Sequence, residues 1–432
     1  MALNPSSTAG SSANVTPSES GHIDAPELRI FVMALFFIFG GITSLNDVII
    51  PKLKELFTLN YTQAMLVQFC FFAAYAIVGI PGAQLVKRIG YMRGAVAGLL
   101  AMTVGCLMFV PASQSASYPL FLFALFVLAS GVVVVQVVTN PLISLLGPAR
   151  TSHSRLTFAQ AFNSLGTVVF PMVGATLILG GLAGISAAQL SGAALDAYRV
   201  EETRMVVSTY LGLAAALATV AGVVWANRNR LRGEQHEATS LVQSLALLKQ
   251  PRFAFGATCI FLYVGAEVAI GSMIVNYMQL ESVLAASASE AGAYIPYYWG
   301  GALVGRFVGS WLLAQLSPGK LLAGNAAGAI ALILVSTNSG GNVAAWSLLL
   351  VGLMNSIMFP TIFSLACEGL GAKAADGSGI INIAIFGGAV VPVAFGAIAD
   401  LTGSLTAALA LPAACYGVIA VFGWYARRPH AN

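Results

Sequence analysis

Charge is what this sequence most lacks. Only 8% of its 432 residues are Asp, Glu, Lys or Arg, against about 25% in ordinary soluble domains. A soluble core of this size would need a charged shell, and there are too few charges to make one. The solvent for most of the chain is therefore lipid. Histidine is just as scarce. His22, His153, His236 and His430 fall in tails or loops, and no apolar run contains one. No His–Cys or H-E-x-x-H cluster exists, which argues against a zinc site. The five cysteines, Cys70, Cys106, Cys259, Cys367 and Cys415, stand singly in apolar runs with no C-x-x-C pair. They read as small buried hydrophobes. There is no P-loop and no G-x-S-x-G, so neither ATP hydrolysis nor covalent catalysis is indicated. No enzyme and no cofactor are expected, and no basic, aromatic face offers itself to nucleic acid.

What fills the sequence instead is apolar, 58% of it. A spanning helix needs about 20 mostly apolar residues. Twelve such stretches occur, near 28–57, 62–86, 93–112, 118–147, 154–182, 205–226, 253–280, 288–316, 320–337, 343–370, 375–400 and 404–426. Residues 1–27, rich in Ser, Pro, Ala and Thr without a positive leader, read as a disordered tail. Lys and Arg set the orientation. With the N-terminus inside, fifteen fall on the inner side: Arg29, Lys87, Arg88, Arg93, Arg150, Arg155, Arg228, Arg230, Arg232, Lys249, Arg252, Lys320, Lys373, Arg427 and Arg428. Only Lys52, Lys54, Arg199 and Arg204 fall outside, and Arg306 lies within a span. Both termini are expected in the cytoplasm.

The longest internal polar segment, 227–252, splits the spans six and six. It is expected to be a cytoplasmic linker between bundles at 28–226 and 253–428. The halves also resemble each other. Gly166–Pro171 (GTVVFP) matches Gly387–Pro392 (GGAVVP) at an offset of 221, Pro141 matches Pro360 at 219, and Gly40-Gly41 matches Gly265-Ala266 at 225. Two parallel repeats of six helices are the plan of major facilitator transporters. The predicted fold is thus an all-α membrane protein, twelve transmembrane helices in two pseudo-symmetric six-helix bundles.

Ionisable residues inside a span are costly and point to function. Asp47, preceded by Asn46, lies about 27 Å along the first helix from Arg29, past the midplane. A carboxylate there could take a proton from outside and release it inside once access switches. Glu267 lies about 22 Å beyond Arg252, and Arg306 about 15 Å from the inner end of helix eight. Glu267 could hold sugar hydroxyls, bind the coupling ion or pair with Arg306, whose expected part is charge balance. Glu368 and Asp400 stand near span ends and read as structural. Amides form a second set: Gln136 with Asn140, Gln160 with Asn163, and Asn355 with Phe359, each pair on one helix face. Amides both donate and accept, which suits a polyol. Tyr297, Tyr298, Trp299 and Phe359 could stack on a sugar ring, with lipid-interface anchoring the other reading of the YYW run. Gly301, Gly305 and Gly309 give helix eight a small-residue face for close packing.

The segments SLNDVIIPKLKELF, VVTNPLISLLGP, RLTFAQAFNSLGTVVFP, YVGAEVAIGSMIVNYM and FPTIFSLACEGLG resemble the fucose–proton symporter family of the major facilitator superfamily, over about 28–428. The resemblance implies a membrane carboxylate for transport at Asp47. Gln136 stands where fucose permeases carry a second one, which, with Glu267, looks like the glucose/galactose branch. Gln160 and Asn163 match the family's sugar-facing positions. Lys87 occupies the site where the loop between helices two and three usually carries an Asp.

The expected function is a cation-coupled symporter that imports a hexose, glucose or galactose, across a bacterial inner membrane by alternating access. The coupling ion is H+, with Na+ open because a carboxylate with amides can coordinate it. The expected partners are a small-molecule sugar and membrane lipid, and the expected state is a monomer. L-Fucose or an N-acetylhexosamine are alternative cargoes. A membrane sensor or channel is the rival class.

Overall fold

The computed structural model describes residues 26–146, 152–179, 190–228, 246–313, 315–368, 370 and 374–427. The tail through residue 25, most of the linker, and the side chains of Lys87 and Asn140 lie outside the described residues. Among the described residues all regular structure is helical. Six spans form the first half: α1 Pro26–Leu56, α2 Tyr61–Ile89, α3 in two pieces (Tyr91–Leu107 and Phe109–Gln114), α4 Tyr118–Leu145, α5 Ser152–Gly174 and α6 Gly192–Ala226. The second half repeats them: α7 Pro251–Met278, α8 Ile295–Leu313, α9 Pro318–Asn338, α10 in two pieces (Gly341–Asn355 and Met358–Cys367), α11 in two (Ala374–Ala384 and Gly387–Thr402) and α12 in two (Leu405–Ala408 and Ala410–Tyr425). Among the described residues eleven spans are long and apolar enough to cross a membrane. The twelfth, α8, holds Arg306.

Proline explains most of the breaks. It has no N–H for the carbonyl four residues back. The breaks at Met108, Ser356–Ile357 and Leu409 fall three or four residues before Pro111, Pro360 and Pro412. The α11 break at Ile385–Phe386 precedes Gly387 and Gly388. Helix α6 begins at Gly192, well before the predicted 205. Its first turns are polar but still helical, because Arg199 and Arg204 sit one turn from Asp196 and Glu201 and pair with them.

The pseudo-symmetry is physical. In the first half α1 packs on α5, α2 on α4, and α3 on α4 and α6; in the second, α7 packs on α11, α8 on α10, and α9 on α10 and α12. The two repeated glycines sit at equivalent crossings. A Cβ on Gly166 would lie 2.1 Å from the Phe37 carbonyl oxygen, and one on Gly387 1.8 Å from that of Phe261. Gly41 and Gly265 meet the equivalent residues Phe170 and Val391, so these two glycines correspond, one residue away from the sequence-based pairing. Gly387→Ala is expected to force α7 and α11 apart at a cost of about 1–3 kcal/mol. Thermal unfolding in detergent measures it, and an unchanged midpoint would contradict the crossing.

Across the halves α2 packs on α11, α5 on α8, and α1 on α7. Helix α7 is the most enclosed span, with 78% of its apolar window buried, whereas α6 and α9 bury 28%. The site must therefore be sought around α7. Outward-facing Phe123, Phe307, Trp311, Val421 and Trp424 belong to the surface that lipid covers. The glycine face of α8 is consumed internally, since Gly301, Gly305 and Gly309 lie against Leu353, Ser356 and Ile357 of α10.

Candidate functional site

Asp47 lies where four helices from both halves meet. It is 3% exposed. Its Oδ1 accepts from Ser272 Oγ on α7 (3.0 Å) and from Gln68 Nε2 on α2 (3.2 Å), and its Oδ2 accepts from Trp299 Nε1 on α8 (2.9 Å). Gln68 also reaches Ser272 Oγ (2.7 Å), and its own carbonyl accepts from Asn46 Nδ2 (3.3 Å). The burial of the carboxylate is thus matched by donors, as a buried polar group requires. Two of the three donors belong to the opposite half. Separating the halves at this end would strip them away.

Glu267, on α7 with Ser272, heads a second cluster. Its Oε1 accepts from Tyr263 Oη (2.7 Å), whose hydroxyl also lies 3.0 Å from the Asn355 carbonyl. Tyr298 Oη donates to the Glu267 carbonyl oxygen (3.1 Å) and accepts from Asn355 Nδ2 (2.9 Å). Phe359 rests its ring near Tyr263, with centroids 6.4 Å apart. Tyr298 and Trp299 are neighbours on α8, so the Asp47 and Glu267 clusters form one continuous polar band. Two amide oxygens in this band, Asn46 Oδ1 and Asn355 Oδ1, are buried and take no hydrogen bond within 3.5 Å among the described residues. Each can take a hydroxyl proton.

Of the three parts open to Glu267, direct pairing with Arg306 is not formed. No ion pair within 4.0 Å joins them among the described residues; the tyrosine hydroxyl takes the carboxylate, while Arg306 Nη1 reaches the Gln160 carbonyl on α5 (3.4 Å). Arg306 therefore bridges the halves through a backbone oxygen, and its charge acts on Glu267 only at a distance. The α4–α5 amides sit apart from the band. Gln136 Nε2 donates to Tyr75 Oη on α2 (3.0 Å), and Asn163 Nδ2 reaches the Phe36 carbonyl (3.4 Å), an approach the bare Gly40 permits. Gln160 is half-buried. Asn140 is placed on α4, its side chain outside the described residues.

Other residues change their standing. Lys52, read as an outer-side residue, is wholly buried within α1 and bonds Glu202 Oε2 of α6 at 2.7 Å. Glu368 pairs with Arg252, which also donates to the Leu365 carbonyl (3.0 Å), tying α7 to α10. Tyr297 is 57% exposed and packs with Tyr294 and Trp346, the arrangement of a lipid-interface aromatic rather than a sugar platform. Trp299 serves through its N–H. Sequence reasoning missed Gln68, Ser272 and Tyr263. Gln68 alone left a signal, a lone amide in the apolar run after Ala64.

Known proteins share this architecture. The Major Facilitator Superfamily model matches residues 32–392. A glucose/galactose transporter of Brucella abortus is 47% identical over 389 residues, 90% of this chain and 91% of that protein. The L-fucose-proton symporter of Escherichia coli K12 is 32% identical over 95% of this chain and 96% of its own. The crystal structure of the E. coli fucose:proton symporter superposes with a TM-score of 0.69 at 31% identity, covering 93% of this chain and 98% of that one. With two six-helix repeats, a carboxylate buried where they meet, and relatives along nearly its whole length, the chain belongs to the Major Facilitator Superfamily, in the family of the glucose/galactose transporters and fucose–proton symporters.

Proposed function

We propose that this protein imports a hexose, glucose or galactose, with a proton across the bacterial inner membrane by alternating access. Both termini lie inside, as the Lys and Arg distribution requires. Residues 28–226 and 253–428 act as the two moving bundles, with 227–252 as the cytoplasmic linker. The end of the fold holding the α1–α2 and α7–α8 connections is then the outer one.

The observation that carries this reading is the placement of Asp47. It is buried at the meeting of the halves, and two of its three donors come from the far half. Its protonation and the approach of the bundles are therefore linked, as symport demands. Asp47 carries the proton. Asn46, Gln136, Asn140, Gln160, Asn163, Glu267, Asn355 and Phe359 contact sugar; the unpartnered oxygens of Asn46 and Asn355 take hydroxyl protons, and Phe359 faces the ring. Arg306 offsets the charge of Glu267. The names of the relatives support glucose or galactose as cargo, and the fucose–proton relatives support H+.

Uptake into proteoliposomes with a sugar panel tests the reading. Glucose and galactose are expected to accumulate under an inward pH gradient and not under a sodium gradient. Accumulation driven only by sodium would overturn the ion, and accumulation of L-fucose or an N-acetylhexosamine instead would overturn the cargo.

A further inference from the structure

We infer that Asp400 is the latch of the outer gate. It stands on the last turn of α11, in the second half, about 339 positions from the residues it binds on α2. Its Oδ1 accepts from the Tyr61 N–H (2.8 Å), and its Oδ2 from the Thr62 N–H (2.8 Å) and the Thr62 hydroxyl (2.6 Å). Those N–H groups open α2. The first N–H groups of any helix have no partner within it, and they favour negative charge. A carboxylate from the opposite half therefore completes the helix only while the two halves are together at the outer end.

The surroundings fit that task. One turn below Asp400, Gly396 presses so closely on α2 that a Cβ would lie 2.7 Å from the Tyr61 carbonyl oxygen and 2.8 Å from the Thr62 nitrogen. Lys54 places its ammonium 4.3 Å from the centre of the Tyr61 ring, and its charge acts on Asp400. The latch can also let go without unravelling α2. Asn60 accepts from the Gln63 N–H (2.7 Å), and Gln63 reaches back to the Asn60 N–H (3.0 Å), a capping box internal to the first half. When the outer gate opens, Tyr61 and Thr62 exchange Asp400 for water and the box holds the helix end. The Asp400 contact is separate from the Asp47 contact on α7 and α8, so closure is read at two places.

The inference rests on the alternating-access reading, but its test needs neither sugar nor a proton gradient. Spin labels on cysteines placed at Thr58, exposed in the α1–α2 turn, and at Asn338, exposed at the end of α9, report the opening of the outer end in full-length protein in nanodiscs. Asp400→Ala is expected to raise the population with a long separation by roughly tenfold or more, as loss of bonds to a charged group implies. Asp400→Glu is expected to restore part of the short-distance population. Thr62→Val, which removes one of the three bonds at nearly constant volume, is expected to shift it less, and it carries the test by itself should Asp400→Ala fail to fold. A distance distribution unchanged from the parent in Asp400→Ala, or in Thr62→Val where only that variant folds, would overturn the latch. Altered sugar or ion selectivity in the transport assay would leave it standing.

Discussion

Asp47→Asn is expected to abolish uphill sugar accumulation while leaving sugar exchange across the membrane intact. The amide keeps the size of the carboxylate and can still accept from Ser272 or Trp299, so the halves can still meet. It cannot take up or release a proton, so the conformational cycle is no longer tied to proton flow. A monovalent charge crossing 100 mV contributes about 2.3 kcal/mol, enough for roughly fiftyfold accumulation. That ratio is expected to fall to about one in the variant, while counterflow of labelled sugar persists. Undiminished uphill uptake would remove Asp47 from the coupling role. Loss of counterflow as well would mean that the carboxylate holds sugar rather than the proton.

The second large effect is structural. Lys52→Met is expected to destabilise the protein by about 3–5 kcal/mol, the range for breaking one partner out of a buried ion pair. Lys52 is wholly buried, and Glu202, its partner at 2.7 Å, is 15% exposed. The methionine fills the lysine's space but leaves Glu202 with a carboxylate and no cation. The double variant Lys52→Met, Glu202→Gln is expected to recover most of the loss, since replacing both members of a buried pair is often close to neutral. Thermal unfolding of the single and double variants in detergent measures this. A single variant within about 1 kcal/mol of the parent would show that the pair does not anchor α1 to α6.

Much of the fold could be read locally. The boundaries of α1, α2 and α7 fell within a few residues of the apolar runs, because each span must close its own backbone hydrogen bonds in lipid. The exception is instructive. Hydropathy starts α6 at 205, since Asp196, Arg199, Glu201 and Arg204 are charged, yet they are helix neighbours that pair one turn apart. The repeat was legible through Gly166 and Gly387, since only a residue without a Cβ tolerates those crossings.

The candidate site divides the same way. Asp47 and Glu267 announced themselves, as carboxylates in apolar helices do. Their partners did not. Ser272 and Trp299 lie 225 and 252 positions from Asp47 and carry no pattern that distinguishes them from other Ser and Trp residues in membrane helices. Glu267 and Arg306, opposite charges inside spans, leave an ion pair open as one reading, but Tyr263 is one turn away on the same helix as Glu267 and takes the carboxylate.

The sequence by itself determined which segments span and how they repeat, and it singled out the polar residues that are costly to bury in lipid. Those are properties of single helices in lipid, where composition and length decide. Which donors surround Asp47, that Asp400 holds α2 rather than water, and that Lys52 is buried against Glu202 were decided only by tertiary structure. Each depends on the register and rotation of helices far apart in the chain, and those are set by the packing of whole surfaces that no local stretch encodes.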